Sequence, residues 1–287
     1  MGRIAYVNGQ FVRHGEAVVH IEDRGYQLAD AVYEVWALFD GKLADAEGHF
    51  ARLERSLSEL RIPMPMSRAA LTIVLREAVR QNRVRDGLLY LQVGRGVAPR
   101  THAFPDQPTA PAVVITVSPL DRPAVEAKAA KGIKVITTPE NRWGRCDIKT
   151  VGLLPNALAK QAAKEQGAAE AWFVDDLGFV TEGSSSNAWI IDQDGALRTR
   201  DTNANILRGV TRHTLLDVLR EEGLKVHERP FTPDEAVAAR EAFITGAGSL
   251  VLPVVAVDNR PVGDGKVGPV AMKLRRLYIE RARATAV

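Results

Sequence analysis

The chain opens on Ile4-Ala5-Tyr6-Val7, then Asn8-Gly9, then Phe11-Val12, and no other stretch restricts its fold so sharply. Both central positions of a type I′ turn take positive φ, which asparagine and glycine tolerate. Asn-Gly between two short apolar runs therefore predicts an antiparallel hairpin. Asp40-Gly41 repeats the signal between Tyr33–Phe39 and Lys42–Ala44. The first segment accordingly reads as antiparallel sheet.

Helical periodicity follows. Phe50, Leu53, Leu57 and Leu60 share one helix face, and Ser67 is placed to cap a second helix reaching about Asn82. Leu88–Val93 and Ala112–Val117 read as strands, with a polar, proline-containing loop from Gly96 to Pro111 between them. Ser118 to Val125 has the composition of a linker. Beyond it, Ile133–Thr137, Ala171–Val174, Asn187–Ile191, Ala242–Thr245 and Val254–Val257 read as strands. Leu154–Gln166, Val210–Glu222, Pro233–Ala239 and Val267–Arg283 read as helices, and Asp194-Gly195 as another hairpin turn. Strands and helices do not alternate regularly, which favours α+β over a doubly wound parallel sheet. The division expected is a domain over 1–118, a linker over 119–125 and a second domain over 126–287.

Composition narrows the function. With 287 residues, 46% hydrophobic and 25% charged, the chain has enough apolar surface for a core of its own. Met1 to Val12 lacks the apolar core of a signal peptide, and no apolar run approaches the roughly 20 residues that span a bilayer. A soluble chain with no membrane role is expected. Cys146 is the single cysteine, so no intramolecular disulfide can form, and a reducing, cytoplasmic setting fits. The net charge of +3 comes from 38 basic residues interleaved with 35 acidic ones. Lys273, Arg275 and Arg276 lie on a helix pattern that also carries Glu280, which reads as a solvated face rather than a nucleic-acid patch. The six histidines are scattered and no cysteine pair exists, so no metal site is expected.

Three motifs fit bland structure poorly. In Arg142-Trp143-Gly144-Arg145-Cys146-Asp147-Ile148-Lys149-Thr150, a lysine beside Ile148 and Val151 at a strand-to-helix junction would be partly desolvated. Desolvation and nearby cations make its amine a usable nucleophile. Taken alone, Lys149 reads more plainly as a surface lysine with its stem along apolar surface. In Thr181-Glu182-Gly183-Ser184-Ser185-Ser186-Asn187, small hydroxyl residues around one carboxylate predict a tight polar turn leading into a strand, with the hydroxyls orienting the carboxylate toward a cationic ring nitrogen. In Leu207-Arg208-Gly209-Val210-Thr211-Arg212, helix-start amides and a threonine hydroxyl form an anion seat, as at any well-capped helix start.

Together these motifs resemble the fold-type-IV pyridoxal-phosphate family, and most closely its D-amino-acid transaminases. Glu22-Asp23-Arg24-Gly25-Tyr26-Gln27, Ala31-Val32-Tyr33-Glu34-Val35, Arg145–Lys149 and Thr181–Asn187 stand in the family's order, and the likeness runs from near residue 4 to about 270. The resemblance implies a small N-terminal α/β domain and a larger C-terminal domain with a mixed sheet, or pseudo-barrel, and helices. It implies pyridoxal 5′-phosphate as cofactor, with Lys149 as its Schiff-base lysine and proton carrier. It gives Glu182 to the pyridinium nitrogen, Arg52 and the Gly209-Val210-Thr211 helix start to the phosphate, and Leu207 to the ring face. Gly246 and Ala247 would add backbone amides to the phosphate seat. Arg52 lies off the Phe50/Leu53/Leu57 face, where a solvated arginine is the alternative.

Pro99-Arg100-Thr101-His102-Ala103-Phe104-Pro105 is similar to the loop that holds the substrate α-carboxylate in D-amino-acid transaminases. Arg100 offers a planar fork, His102 a further donor and Tyr33 a hydroxyl. In the family this loop reaches the neighbouring subunit, which implies a homodimer. The implied reaction moves an amino group from a D-amino acid, such as D-alanine or D-glutamate, to a 2-oxo acid such as 2-oxoglutarate or pyruvate. A branched-chain L-amino-acid or (R)-amine transaminase is the alternative, and an aminodeoxychorismate lyase a more distant one. Two departures stand out. Ala29-Asp30-Ala31 replaces the family's common Gly-Asp-Gly, so two methyl groups are added near Tyr33. Thr245-Gly246-Ala247-Gly248-Ser249 carries fewer hydroxyls than in close relatives.

Overall fold

The computed structural model describes residues 3–202 and 205–287. Met1 and Gly2, the start of the segment read for a leader, lie outside them. The chain divides into two compact units.

The first unit holds the residues up to Asp121, and also Ile148–Gly152 and Thr285–Val287. Its strands are β1 (Ile4–Val7), β2 (Gln10–Arg13), β3 (Ala31–Phe39), β4 (Lys42–Leu43), β5 (Gly87–Gly94) and β6 (Ala112–Pro119). They form one antiparallel sheet in the order β2-β1-β6-β5-β3-β4. Asn8 and Gly9 adopt φ of 46° and 100°, and Asp40 and Gly41 adopt 50° and 80°, as hairpins of this twist require. The helices are α1 (Arg24–Leu28), α2 (Ala46–Glu59) and α3 (Arg68–Asn82). Ser67 caps α3 by accepting from Ala70 N. Phe50, Leu53 and Leu57 on α2 and Leu71, Leu75 and Val79 on α3 share a core with Trp36, Leu89, Leu91, Ile115 and Val117 of the sheet. Ile148 is buried in the same core. The Ala29 departure falls at the end of α1, where Ala29 takes a left-handed φ of 56° that glycine adopts at no steric cost.

The second unit comprises Arg122–Asp147 and Leu153–Ala284. Its helices are α4 (Arg122–Lys131), α5 (Leu154–Glu165), α6 (Val210–Glu221), α7 (Pro233–Ala238) and α8 (Pro269–Ala284). Its strands are β7 (Ile133–Pro139), β8 (Glu170–Val174), β9 (Val180–Gly183), β10 (Asn187–Ile191), β11 (Leu197–Thr199), β12 (Val226–Glu228), β13 (Glu241–Gly246), β14 (Leu250–Val257) and β15 (Arg260–Pro261). The sheet order is β12-β11-β10-β13-β14-β7-β8-β9, with β15 beside β14. Pairing is parallel at β14/β7, β7/β8 and β11/β12 and antiparallel elsewhere, so the sheet is mixed. Only Ser184, Ser185 and Ser186 separate β9 from β10, although the sheet order puts β13, β14, β7 and β8 between them. So short a link cannot span a flat sheet, so these strands curl into a half-barrel. Trp172, Phe231, Ile190, Ile244 and Val254 fill its interior.

Both units are α+β. Residues 119–125, read as a linker, comprise the end of β6, a two-residue step and the first turn of α4, and the unit boundary falls at Asp121/Arg122. One expectation is corrected. Thr181 and Glu182 lie on a strand, not in a turn, because Val180 and Gly183 pair with Val174 and Trp172.

Candidate active site

The first unit has an open sheet edge. β3 pairs with β5 along its length, but β4 covers only Leu38 and Phe39 on the other side. Unpaired strand groups seek partners. The partner here is the loop before α5: Tyr33 N donates to Lys149 O at 3.0 Å, Val151 N donates to Ala31 O at 3.1 Å, and Val32 bridges Thr150. Burial of Ile148 in the core adds on the order of 2 kcal/mol of anchoring. Lys149 is half-buried, and its Nζ stands 4.1 Å from the centroid of the Tyr33 ring. Among the described residues no carboxylate forms an ion pair with that amine, unlike a lysine kept for stability. Tyr33 in turn stacks on Tyr90, whose phenol is pushed up to about 12 by burial and by Tyr33 beside it.

Successive strand residues face opposite ways, so Glu34 points away from Tyr33 and into the protein. It is fully buried and meets Arg52 of α2 in a two-point fork, with Nε on Oε1 and Nη2 on Oε2, both at 2.8 Å. His49, one turn earlier on α2, places Nδ1 2.7 Å from Oε2. Burial pushes the Glu34 carboxyl up, but the Arg52 charge and the bonds from Arg52 and His49 outweigh it and bring it to about 2. Burial lowers the His49 pKa further than its contact with Glu34 restores it. Arg52 is therefore no solvated arginine: one edge of its guanidinium is fixed by a buried anion.

Arg100 and His102 lie exposed on the loop from Gly96 to Pro111, and among the described residues neither has an ion-pair partner.

In the second unit, Glu182 is buried on β9 and held at three points. Arg142 Nη1 donates to Oε1 at 2.5 Å, Leu207 N to Oε1 at 3.1 Å, and Asn187 Nδ2 to Oε2 at 2.9 Å. Arg142 also forks onto Glu140, with its Cζ 4.5 Å from the Phe173 ring centroid. Burial works against the Arg142 charge, yet Glu140 and Glu182 raise its pKa. Glu182 is thus a buried carboxylate held by a guanidinium and two amides. The serine hydroxyls expected to orient it serve another group: Ser184, Ser185 and Ser186 all donate to Glu170, which Lys160 also approaches at 3.3 Å.

The remaining expected residues gather round Asn187. Its Nδ2 also donates to Leu207 O at 3.0 Å, and it faces Thr245 across β10 and β13, next to Gly246. Gly209 lies so close that a Cβ there would collide with Asn187 Oδ1. Gly209 is the N-cap of α6 and gives the helix no side-chain cap, so the first-turn amides at Val210 and Thr211 are left for another acceptor. Thr211 is buried there, and Gly246 and Ala247 are half-buried at the end of β13. A phosphorylated pyridine needs a buried anion for its ring nitrogen and uncapped helix amides for its phosphate. This unit supplies both, so its residues fit pyridoxal phosphate.

Sequence reasoning passed over Glu34, His49, Arg142 and Asn187. Glu34 carried a readable signal, a charge inside an otherwise apolar strand. Asn187 carried none, because its role depends on Gly209, a residue far along the chain. Among the described residues no cluster of His, Cys, Asp or Glu is arranged to hold a metal ion, and no helix is long and apolar enough to cross a membrane.

Comparison with known proteins agrees with this chemistry. The family model described as Amino-transferase class IV matches residues 31–257. A D-alanine aminotransferase of Bacillus licheniformis is 41% identical over 268 residues, 93% of each chain. One of Staphylococcus haemolyticus is 39% identical over 279 residues, 96% of this chain and 97% of its own. Among solved structures, a T.th. branched-chain amino acid aminotransferase with pyridoxamine 5′-phosphate superposes with a TM-score of 0.88 at 28% identity, covering 98% of this chain and 94% of that one. The Escherichia coli branched-chain enzyme gives 0.89 at 23% identity over 98% and 95%, a likeness of fold alone.

Proposed function

From its place in the class IV aminotransferase family, to which this chain belongs, we propose that the protein moves the amino group of a D-amino acid to a 2-oxo acid. It is a pyridoxal-phosphate-dependent aminotransferase. D-Alanine and D-glutamate are the donors, and pyruvate and 2-oxoglutarate the acceptors. The observation that carries the reading is Lys149, an amine pinned to a sheet edge and held over an aromatic ring without an anionic partner. The choice of D-amino acids rests on the likeness to D-alanine aminotransferases and on Arg100 and His102.

When bound, pyridoxal phosphate supplies a pyridinium ring that accepts the electron pair left as the substrate loses its α-proton. Lys149 Nζ would hold the cofactor through its aldehyde carbon and would carry the proton removed from the substrate Cα. The backbone pairing of Lys149 with Tyr33 limits how far that amine travels. Glu182, paired with Arg142, would accept the ring N–H and favour a protonated nitrogen. Arg52, the amides at Val210 and Thr211 and the Thr211 hydroxyl would hold the phosphate, with Gly246 and Ala247 beside them. Leu207 would pack against the ring. Arg100, His102 and Tyr33 hold the α-carboxylate.

The same reading makes the protein a homodimer in which the loop from Gly96 to Pro111 serves the partner's site. Val18, Ile21 and Tyr26 are each more than 70% exposed, apolar surface that a second copy would cover. Its single cysteine fits a cytoplasmic setting.

The test is direct. Purified protein is expected to show a visible cofactor band that borohydride abolishes with covalent retention of cofactor, and Lys149→Ala to retain none. D-Alanine with 2-oxoglutarate is expected to give pyruvate and D-glutamate. Faster turnover of L-leucine or an (R)-amine would replace the D-specific reading with the branched-chain or amine one. Mixing Lys149→Ala with Arg100→Ala protein is expected to restore activity by complementation between subunits.

A further inference from the structure

The loop bearing Arg100 and His102 is held by two buried arginines that the roles above leave unused. Its base is stitched by backbone: Arg24 N donates to Gly96 O, Ala98 N donates to Glu22 O, and Thr109 Oγ1 donates to Arg95 O. None of these bonds reaches the middle of the loop, where Arg100 and His102 stand. Two side chains do. Arg24, with its side chain 2% exposed, donates from Nε to Asp30 Oδ2 at 2.8 Å and from Nη1 to Thr101 O at 2.8 Å. Thr101 is the residue between Arg100 and His102. Arg95 forks onto the same carboxylate, Nε to Oδ2 at 2.7 Å and Nη2 to Oδ1 at 3.0 Å, and its Cζ lies 3.7 Å from the Phe104 ring centroid. Its other donors meet Leu60 O and Arg61 O.

Two guanidiniums share Asp30, and the surplus donors go to main-chain carbonyls and to the face of a loop phenylalanine. Only a planar guanidinium can bind Asp30 with one edge and grip the loop with another. We propose that Arg24 and Arg95, joined through Asp30, are positioning residues that set the direction of Arg100 and His102 and so the enzyme's affinity for the substrate α-carboxylate. The proposal rests on the reading of Arg100 as a carboxylate ligand. A loop arranged before substrate arrives loses less entropy on binding, so loosening it raises KM while leaving the proton transfer at Lys149 alone.

The test is a double-mutant cycle on the holoenzyme with D-alanine as varied substrate. Arg24→Lys keeps the charge but cannot reach Asp30 and Thr101 O together. It is expected to raise KM about tenfold, with kcat within about twofold and the cofactor band unchanged. Phe104→Leu, a change at a half-exposed side chain, is expected to shift KM the same way by a smaller factor and keeps the test open should Arg24→Lys fold poorly. In an Arg100→Ala/His102→Ala background, where KM is already raised, either change is expected to add less than about twofold, because the groups it positions are gone. Multiplicative effects in that background, or a loss in kcat rather than in KM, would overturn the proposal. An Arg100→Ala enzyme with the wild-type KM would instead sink the carboxylate reading of the loop, a distinct result that takes this proposal with it.

Discussion

Replacing Glu34 with glutamine tests how the fold holds Arg52, and its size follows from the buried pair. Glutamine keeps the shape of the side chain but leaves the Arg52 guanidinium beside a neutral amide inside the protein. In the folded chain the Glu34 carboxyl lies at about 2, against 4.5 for the unperturbed group. A carboxyl lowered by folding stabilises the protein above its unfolded pKa, and that stability is lost as pH falls through the folded one. Each tenfold change in proton affinity between the two states is worth roughly 1.4 kcal/mol, so the charge contributes about 3 kcal/mol at pH 7 and about 2 kcal/mol at pH 3.5. For a protein of this size, about 3 kcal/mol lowers the thermal midpoint by roughly 5 °C. The assay is thermal unfolding of wild type and Glu34→Gln in parallel, at several pH values from 8 down to 3.5. The gap is expected to hold constant to about pH 5 and then narrow. His49 adds a decline in both proteins below about pH 6.5, where the unfolded chain takes up a proton that the buried imidazole refuses. A glutamine variant as stable as wild type at pH 7, or a gap that ignores pH down to 3.5, would refute the reasoning.

Other consequences follow from the second unit. Glu182→Gln is expected to keep covalent trapping of cofactor by borohydride while turnover falls by roughly two to three orders of magnitude, since an electrostatic partner is lost and the nucleophile is intact. Gly209→Ala drives a methyl into Asn187, which supports both Glu182 and Leu207. It is expected to weaken cofactor retention on dialysis and to shift the visible band together. Burial pushes the Cys146 thiol up to about 11, so iodoacetamide is expected to label it far more slowly at pH 8 than a free thiol, with labelling rising toward pH 11.

Much of the fold was legible because its local rules are strong. Asn8-Gly9 and Asp40-Gly41 force positive φ wherever they stand, and the α2 and α3 patterns have one apolar face each. α4 escaped because Ala129 is its only buried residue, so no stripe marks it. β11 and β12, at three residues each, are too short for alternation to register. The hydroxyls around Glu182 suggest a turn, while pairing with β8 makes Val180–Gly183 a strand. At the candidate site, Lys149 and Glu182 could be found from their motifs, but not what holds them. The fork between Glu34 and Arg52 joins a strand to a helix 18 positions on, and no periodicity in either element names the other. The serine-rich turn misled for the same reason: its hydroxyls answer to Glu170, a partner 14 to 16 positions back.

The five residues from Ile148 to Gly152 complete a sheet whose other strands end at Pro119. During synthesis the edge of β3 therefore stays open until the chain has been extended some thirty residues past the last strand of that sheet. The reactive amine arrives on the piece that closes the edge. A nascent or misassembled chain offers no seated lysine for an aldehyde to meet, and capture of the cofactor becomes a record that the first sheet has been finished.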